Sequence, residues 1–331
     1  MDFAPLVETR RGAWVENTHF GLAVVADTTG RVVRAWGNAQ RAVFPRSALK
    51  PLQALPVLEG GAAARYGLEA ADLAVLCASH SGETPHVRQV ARLLARLGLD
   101  ESALQCGRHV PFMYPEHAQH GTPPLAAFGP LHHNCSGKHA GFLVCACASG
   151  AATADYLAPD HPAQRAVREA LLRTTGCPAE ALHRATDGCS APTYALPLVH
   201  LATAYARLAT APTHSAPGHL ASAMMAHPEM VSGQGRADAA LMHAAPGALI
   251  AKMGADGVQA IGLPGLGLGL AVKIADGHPR AAVCATVAIL RRLGVFAELP
   301  AVLEPWAQPQ LLNARGLVVG AMHAVTSLSA A

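Results

Sequence analysis

Charge is scarce in this 331-residue chain: Asp, Glu, Lys and Arg make up 14% of it and leave a formal net charge of +3. A balance this close to neutral gives no electrostatic basis for binding nucleic acid, and no block of like charge indicates a charged tail. Long hydrophobic runs are also missing, because the apolar stretches near 141–150 and 262–272 are too short or too broken to cross a bilayer. The first twenty residues lack the pattern of a secretory leader. We therefore expect a soluble, cytoplasmic protein with no nucleic-acid or membrane partner.

Several familiar catalytic signatures are absent. The sequence contains no G-x-S-x-G elbow, no H-E-x-x-H and no G-x-x-x-x-G-K-[ST] loop. The run Gly265-Leu-Gly267-Leu-Gly269 lacks G-x-G-x-x-G spacing and leads into a predicted strand, so it indicates a closely packed turn. Gly and Pro, at 31 and 24 residues, show no period, which excludes a collagen-like chain.

Eight cysteines and eighteen histidines stand out in what remains. Cytoplasmic cysteines are normally reduced, so these eight point to packing, metal binding or catalysis and not to disulfides. We assign six of them to core packing: Cys77, Cys106, Cys145, Cys147, Cys177 and Cys284.

The hydrophobic pattern places strands at both ends of the chain and helices in the middle. Strands are predicted at 19–27, 31–37, 248–252, 257–262, 267–276 and 317–325. Helices are predicted at 47–58, 84–97, 138–149, 162–175, 193–209, 216–226, 236–244 and 279–293. This order favours an α/β (α+β) fold whose mainly antiparallel sheet is formed by N- and C-terminal strands and packed with helices. We predict one domain over 1–331 with a helical middle region at about 84–245.

Ser47 and Lys50 form the first candidate catalytic pair. Residues three apart lie on one face of a helix, and Pro51 fixes the helix start close to Ser47. The hydroxyl would lie near the positive end of the helix dipole, and a buried, neutral lysine beside it can accept its proton. An ordinary serine cap is the alternative explanation of this motif.

Two further motifs follow the Ser47–Lys50 motif along the chain. Cys77-Ala-Ser79-His80-Ser81-Gly82 carries hydroxyl groups on a loop, and Lys252-Met-Gly254 ends a predicted strand. The order S-x-x-K, S-x-S, K-x-G parallels the S-x-x-K, S-D-N, K-T-G order of β-lactamases and penicillin-binding proteins, although Ser81 stands where that pattern has Asn.

Cys135 and Cys189 differ from the other cysteines in their surroundings. Cys135 precedes a predicted helix in His132-His-Asn134-Cys-Ser136-Gly-Lys138-His139, and Cys189 lies in a turn beside Asp187. A helix start stabilises a thiolate, which makes Cys135 a metal-ligand or nucleophile candidate. Two thiolates, one nitrogen and an open position can hold zinc, although neither cysteine has a C-x-x-C partner.

Seven blocks of this sequence together resemble the rhizobial-type L-asparaginases of the asparaginase II family. They are FPRSALKPLQALP, CASHSGE, HHNCSGKHAGFL, TDGCSAP, HPEMVSGQGRAD, AKMGADGVQAIGLP and GLAVKIADG. The resemblance runs from about residue 15 to the C-terminus. It implies a serine-β-lactamase-like fold, a homodimer, two Ser–Lys pairs and a zinc ion held near them by two cysteines and a lysine.

Carried over to this chain, the resemblance assigns specific residues. The pairs are Ser47 with Lys50 and Ser79 with Lys252, with Lys273 as the alternative lysine of the second pair. The zinc ligands are Cys135, Lys138 and Cys189. Arg46 is expected to bind the substrate α-carboxylate. The other expected substrate contacts are His80, Asn134, Ser136 and His139.

The predicted reaction is hydrolysis of the side-chain amide of L-asparagine to L-aspartate and ammonia. One serine attacks the amide carbon, its lysine acts as base, and backbone N–H groups hold the oxyanion. Ser47 is favoured as nucleophile because its lysine follows on the same helix, and Ser79 is the rival. A serine β-lactamase or esterase acting on another amide or ester is the alternative enzyme, and a non-catalytic binding protein of the same fold is the alternative class.

Overall fold

A computed structural model describes residues 2–114 and 122–329. The strands are β1 (Ala4–Arg11), β2 (Trp14–Asp27), β3 (Val32–Trp36), β4 (Ala42–Val43), β5 (His183–Thr186), β6 (Pro192–Pro197), β7 (Ile250–Gly254), β8 (Val258–Leu263), β9 (Leu268–Ile274), β10 (Gln310–Leu312) and β11 (Val318–Ala324). The helices are α1 (Lys50–Glu59), α2 (Ala62–Arg65), α3 (Ala70–Leu76), α4 (Thr84–Arg96), α5 (Ser136–Ser149), α6 (Pro162–Thr175), α7 (Leu198–Thr210), α8 (Ala216–Ala226), α9 (Pro228–Val231), α10 (Ala237–Ala244), α11 (Pro279–Arg292), α12 (Glu304–Ala307) and α13 (Thr326–Ser329).

The chain divides into two compact units, each assembled from separate segments. Unit 1 comprises Met1–Ala48, Leu196–Thr210 and Ala240–Ala331. Unit 2 comprises Leu49–Ala195 and Ala211–Ala239. Whether the two units together form the single catalytic domain predicted over 1–331 is not tested by this division, and the single domain stays a prediction.

Unit 1 is built on an antiparallel sheet made from both ends of the chain. Its order is β10-β11-β1-β2-β9-β8-β7, and β3 pairs with the far half of β2. In β2 and β9 several consecutive residues are buried, with no alternation between buried and exposed positions. Since successive side chains of a strand point to opposite faces, both faces of the sheet are covered. The covering helices are α7 and α11, which pack on these strands. The predicted mixed fold with an antiparallel sheet from N- and C-terminal strands is confirmed.

Glycines on β8 and β9 let α7 approach the sheet closely. Gly262 and Gly269 are register partners, and a Cβ on either would overlap the backbone of α7, at the carbonyl oxygens of Tyr205 and Ala202 respectively. This explains Gly269 in the run Gly265-Leu-Gly267-Leu-Gly269, because a strand glycine marks a place where another backbone comes close. A Cβ on Gly265 or Gly267 would have no described atom within 4 Å, so the predicted close packing is wrong for those two glycines.

Unit 2 is mainly helical. The helix α1 packs against α5, α6 and α8, while α3 packs against α4, α5, α8 and α9. Alanine-rich helices with buried leucines supply this core, including Leu52, Leu55, Leu76 and Leu143. The helices predicted at 84–97, 162–175, 216–226 and 279–293 agree with α4, α6, α8 and α11 to within a residue at each end. The helix predicted at 138–149 starts two residues later than α5.

Two predicted helices need correction at their starts. The segment predicted as helix 47–58 begins as a 3-10 turn, Arg46–Leu49, and the α-helix starts only at Lys50. Pro51 explains this, because it fits the first turn of an α-helix and not its interior. The segment predicted as helix from 193 is strand β6 up to Pro197, where Thr193 and Tyr194 pair with β5, and α7 follows. Proline next to a β-branched and an aromatic residue favours the strand over the alanine-rich pattern that follows.

Candidate active site

Lys50 is the most deeply buried charged side chain of the candidate site in unit 2. It is 1% exposed, and its Nζ lies 2.5 Å from the Ala78 carbonyl oxygen, 3.0 Å from Ser79 Oγ and 3.2 Å from the Asn134 carbonyl oxygen. Burial lowers the pKa of Lys50, while the Cys135 thiolate works in the opposite direction. A neutral amine here can donate its two protons to the carbonyls and accept the Ser79 hydroxyl proton.

Ser79 lies in the loop that follows α3, and the backbone of this loop is held in place. Its amide donates to the Val231 carbonyl at 2.9 Å, and its side chain is buried. Gly82 adopts a φ of +76°, and a Cβ there would lie 2.6 Å from Pro111 Cβ. The chain therefore turns sharply just after Ser79, at a place that only glycine fits.

His80 ties this loop to the start of α5. The Gly82 amide donates to its Nδ1 at 3.1 Å, so the proton is on Nε2, which lies 2.8 Å from Ser136 Oγ. The Ser136 hydroxyl in turn donates to the Leu131 carbonyl at 2.9 Å. Both predicted substrate contacts, His80 and Ser136, are fully buried and bonded to each other in this structure.

The start of α5 brings Cys135, Lys138 and Cys189 together. Cys135 is the residue before the first turn, and Lys138 lies one turn further on, where its Nζ donates to Cys189 Sγ at 2.9 Å. Asp187 Oδ2 lies 3.9 Å from the same Nζ. All three predicted metal ligands are buried in unit 2.

The two cysteines share a negative charge that the lysines stabilise. A hydrogen bond from Cys189 holds the pKa of Cys135 well below its usual value, and Lys50 and Lys138 act in the same direction. That hydrogen bond raises the pKa of Cys189. Burial works to lower the pKa of Lys138, but the two cysteines and Asp187 raise it overall. These shifts favour the thiolate form of Cys135 and the thiol form of Cys189, with Lys138 donating to the Cys189 sulfur.

Two thiolates and an amine nitrogen suit zinc in donor type. In the described ranges, no group of three or more His, Cys, Asp and Glu side chains is arranged to hold a metal ion. The predicted ligand set is of a different kind, because one of its three members, Lys138, is a lysine. The zinc site therefore stays a prediction, carried by the donor chemistry and burial of Cys135, Lys138 and Cys189.

Arg46 and Ser47 lie in unit 1, on a strained turn. Arg46 is one of the few described residues other than glycine with a positive φ, at 53°, and its Nη1 donates to Asp256 Oδ2 at 2.7 Å. The Tyr205 hydroxyl donates to the next carbonyl, that of Ala48, at 2.7 Å. A Cβ on Gly254 would overlap the Pro45 carbonyl oxygen, so the end of β7 lies directly against this turn. Such strain next to a candidate nucleophile is typical of functional sites.

Lys252 lies on β7 in unit 1 and is fully buried, with its Nζ donating to the Met253 carbonyl at 2.8 Å. The alternative lysine, Lys273, is half-buried on β9 and donates to the carbonyls of Asp256 and Ile274. Both predicted Ser–Lys pairs join a residue of one unit to a residue of the other, and they stay predictions. The pair that the structure forms within unit 2 is Lys50 with Ser79.

Sequence reasoning missed several polar partners of this site. The amides of Asn134 and Cys135 donate to His109 Nε2 and His133 Nδ1, both at 3.0 Å. His139, predicted to contact substrate, is fully buried and lies 2.7 Å from the Tyr156 hydroxyl. No local pattern singles out His109 or Tyr156, because each lies in an irregular loop far along the chain from its partner.

Comparison with known proteins gave one family and a structural match. A family model described as L-asparaginase II matches residues 7–324. Among solved structures, a β-lactamase from Mycobacterium bovis is similar at 17% identity and a TM-score of 0.44, over 82% of this chain and 94% of that one. No curated protein matches the chain. No helix within the described part of the chain is long and apolar enough to cross a membrane.

Proposed function

The chain belongs to the L-asparaginase II family, and from that premise we propose that it hydrolyses the side-chain amide of L-asparagine to L-aspartate and ammonia. Family membership makes it an asparaginase-type amidohydrolase acting on a small molecule. The finer proposal concerns the nucleophile, its base and a zinc ion. It is carried by the 3.0 Å contact between Lys50 Nζ and Ser79 Oγ in a buried setting.

In the proposed reaction Lys50 takes the proton of the Ser79 hydroxyl as Oγ bonds to the side-chain amide carbon. The tetrahedral intermediate collapses, the C–N bond breaks, and Lys50 returns the proton to the departing nitrogen, which leaves as ammonia. Water then attacks the β-aspartyl ester and gives a proton to Lys50. That proton returns to Ser79 Oγ as L-aspartate leaves. The two carbonyl acceptors of Lys50 support this role, because they orient its lone pair toward the hydroxyl.

Ser47 is the second candidate nucleophile. Its support is the strained turn at Arg46 and its place in the S-x-x-K motif. Arg46 remains the proposed anchor of the substrate α-carboxylate, and it would exchange Asp256 for the substrate when it binds.

Zinc is proposed to bind Cys135, Lys138 and Cys189. When bound, it supplies Lewis-acid chemistry to the site. We expect protein purified without chelator to contain zinc, and Cys135→Ser and Cys189→Ser variants to contain none. Zinc content that is the same in both variants as in the wild type would contradict these ligands. A homodimer and a cytoplasmic location complete the proposal.

The experiment that tests the nucleophile is ammonia release from L-asparagine by matched Ser47→Ala and Ser79→Ala variants. If Ser79 is the nucleophile, its variant should lose on the order of 10³-fold or more in kcat, and acid-quenched wild type should carry an ester on the peptide that contains Ser79. An ester on the Ser47 peptide would transfer the role to Ser47. Turnover of nitrocefin without turnover of asparagine would replace the asparaginase proposal with the β-lactamase alternative.

A further inference from the structure

The block HPEMVSGQGRAD, residues 227–238, includes α9, whose end bonds to the loop of residues 77–83 that carries Ser79. We call this loop, between α3 and α4, the Ser79 loop. The last residue of α9, Val231, accepts from the Ser79 amide at 2.9 Å through its carbonyl. The carbonyl of the next residue, Ser232, accepts from the Ser81 hydroxyl at 2.9 Å. Two consecutive carbonyls at the end of α9 thus hold the Ser79 loop.

The peptide group that joins Ala78 to Ser79 is bonded on both sides. Its N–H is the amide that donates to Val231, and its carbonyl accepts from Lys50 Nζ at 2.5 Å. The same Nζ lies 3.0 Å from Ser79 Oγ. A shift of Val231 would therefore move this peptide group, and with it the Ser79 hydroxyl, relative to Lys50.

His86, on α4, holds the other part of α9. Its Nε2 lies 2.7 Å from the Glu229 carbonyl oxygen, which can only accept, so Nε2 carries a proton. Its Nδ1 is buried and has no hydrogen-bond partner among the described residues. The side chain is 1% exposed. Within the described part of the chain, the hydrogen bonding of this buried imidazole is therefore directed at α9.

The His86 ring also contacts the Ser79 loop directly. It stacks on His80, with ring centroids 5.0 Å apart and an angle of 10° between the ring planes. The segment after α9 lies against the same loop, because Gly233 has a φ of +122° and a Cβ there would overlap Ser81 Oγ. His86 thus contacts both α9 and the loop that α9 holds.

We propose that His86 is a positioning residue that holds α9 against the Ser79 loop and thereby keeps Ser79 Oγ within reach of Lys50. The inference rests on the proposed function, in which Ser79 is the nucleophile. A nucleophile and its base must stay within hydrogen-bond distance of each other. His86 acts on that distance through the Val231 carbonyl and the His80 ring.

Ammonia release from L-asparagine provides the first test. We expect His86→Leu to lower kcat and kcat/KM equally, by about 10–100-fold, because moving a catalytic group by about 1 Å can cost about 10²-fold. His86→Gln should restore most of kcat, since its amide can still donate to the Glu229 carbonyl. The matched control is His161→Leu, which should leave kcat near the wild-type value. His161 is also buried in unit 2, and its Nε2 donates at 2.9 Å to the Ala152 carbonyl, in the loop between α5 and α6.

The location of the acyl ester decides how the kinetic result is interpreted. If Ser79 carries the ester, an unchanged kcat in His86→Leu, or an equal loss in His161→Leu, would overturn the proposal. If Ser47 carries it, the assigned nucleophile of the proposed function fails, and the exchange measurement that follows decides whether His86 holds the loop.

Hydrogen exchange of the Ser79 amide, followed by mass spectrometry of the peptide that contains it, provides the second test. Exchange should be faster in His86→Leu than in wild type and in His161→Leu, because the bond to Val231 is loosened locally. Equal exchange in His86→Leu and wild type would overturn the proposal, whichever serine is the nucleophile.

The double variant of His86→Leu and Ser81→Ala tests whether the two contacts act through one segment. The Ser81 hydroxyl bonds to Ser232, the residue that follows α9. The loss of kcat in the double variant should be smaller than the product of the two single losses, because either substitution already loosens the same segment. Losses that multiply would show that His86 acts by another route and would overturn the proposal.

Discussion

Lys50 combines deep burial with two carbonyl acceptors and one hydroxyl, an arrangement that suits a base better than a structural ion pair. We expect Lys50→Met to lower kcat for asparagine by about 10²–10⁴-fold, because the proton acceptor of Ser79 is removed. The substitution also leaves the Ala78 and Asn134 carbonyls without this donor, which should cost about 1–3 kcal/mol of unfolding free energy. Steady-state kinetics and urea unfolding measure the two effects. Retention of kcat within tenfold would contradict the role.

The second prediction for a single residue concerns Arg46. If its guanidinium anchors the substrate carboxylate, Arg46→Ala should raise KM for asparagine by at least about tenfold, since a charged hydrogen bond of roughly 1.5–3 kcal/mol is lost. Arg41→Ala is the matched control, because Arg41 pairs with Asp2 on the surface of the same unit. A KM that responds equally to both substitutions would count against the anchor.

The residue types of the site were predictable, and their pairings were not. Lys50 and Ser79 each belong to a motif, yet the contact between them depends on how α1 and the loop after α3 pack, which no spacing rule encodes. Tyr156 and His109 gave no signal, because their significance comes only from the groups they meet. His139 was identified from its motif as a substrate contact, which stays a prediction, while its contact with Tyr156 had no signal in the sequence.

At the scale of elements, α5 carries most of the site, and its position depends on a glycine. A Cβ on Gly137 would overlap the Val75 carbonyl oxygen of α3, whereas one on Gly141 would lie 3.2 Å from the movable Leu76 Cδ2. Alanine normally improves a helix by about 1 kcal/mol over glycine. We expect Gly137→Ala instead to lower the unfolding free energy by more than about 2 kcal/mol and to reduce kcat, because α5 must move.

Gly141→Ala is the matched control on the same helix, and it should change stability by less than about 1 kcal/mol. Urea unfolding of the two variants, followed by circular dichroism, makes the comparison. Equal stability of both would show that α5 tolerates a shift away from α3.

Regular elements with strong end signals were predicted well from sequence. Helices that begin with proline and end at glycine, such as α6, agree with the prediction residue for residue. Strand β1 was missed, because its charged Glu8, Arg10 and Arg11 hide an alternation that pairing with β2 and β11 stabilises. The start of α1 was placed too early, because a 3-10 turn and an α-helix share the same polar spacing over one turn.

For the whole molecule, buried neutral histidines predict sensitivity to acid. Burial lowers the pKa of both His80 and His86, whose rings stack with centroids 5.0 Å apart. In the unfolded chain they take up protons near pH 6.5, whereas their lowered pKa values in the folded protein shift protonation to more acidic pH. The unfolding free energy should therefore fall as pH drops below about 6.5, by up to about 1.4 kcal/mol per pH unit for each proton.

Urea unfolding at pH 7.5, 6 and 5 measures this slope. His86→Gln should make it shallower by up to one proton, since a glutamine amide can still donate to the Glu229 carbonyl that His86 contacts at 2.7 Å. His183→Gln, at an exposed position on β5, should leave the slope unchanged. An identical slope in His86→Gln and wild type would remove His86 as a cause.

The pairing of β1 with β11 has a consequence for how this protein is made. Val7 lies opposite Ala324, so β1 is synthesised about 300 residues before the strand with which it pairs. Until then β1 presents an open edge, which is a template for pairing with another chain. During synthesis there is thus a long interval in which the hairpin of β1 and β2 has an unpaired edge. A chaperone bound to that edge would keep it from pairing with other chains. A ribosome that stalls before residue 318 would release a chain in which β1 has no β11 to pair with.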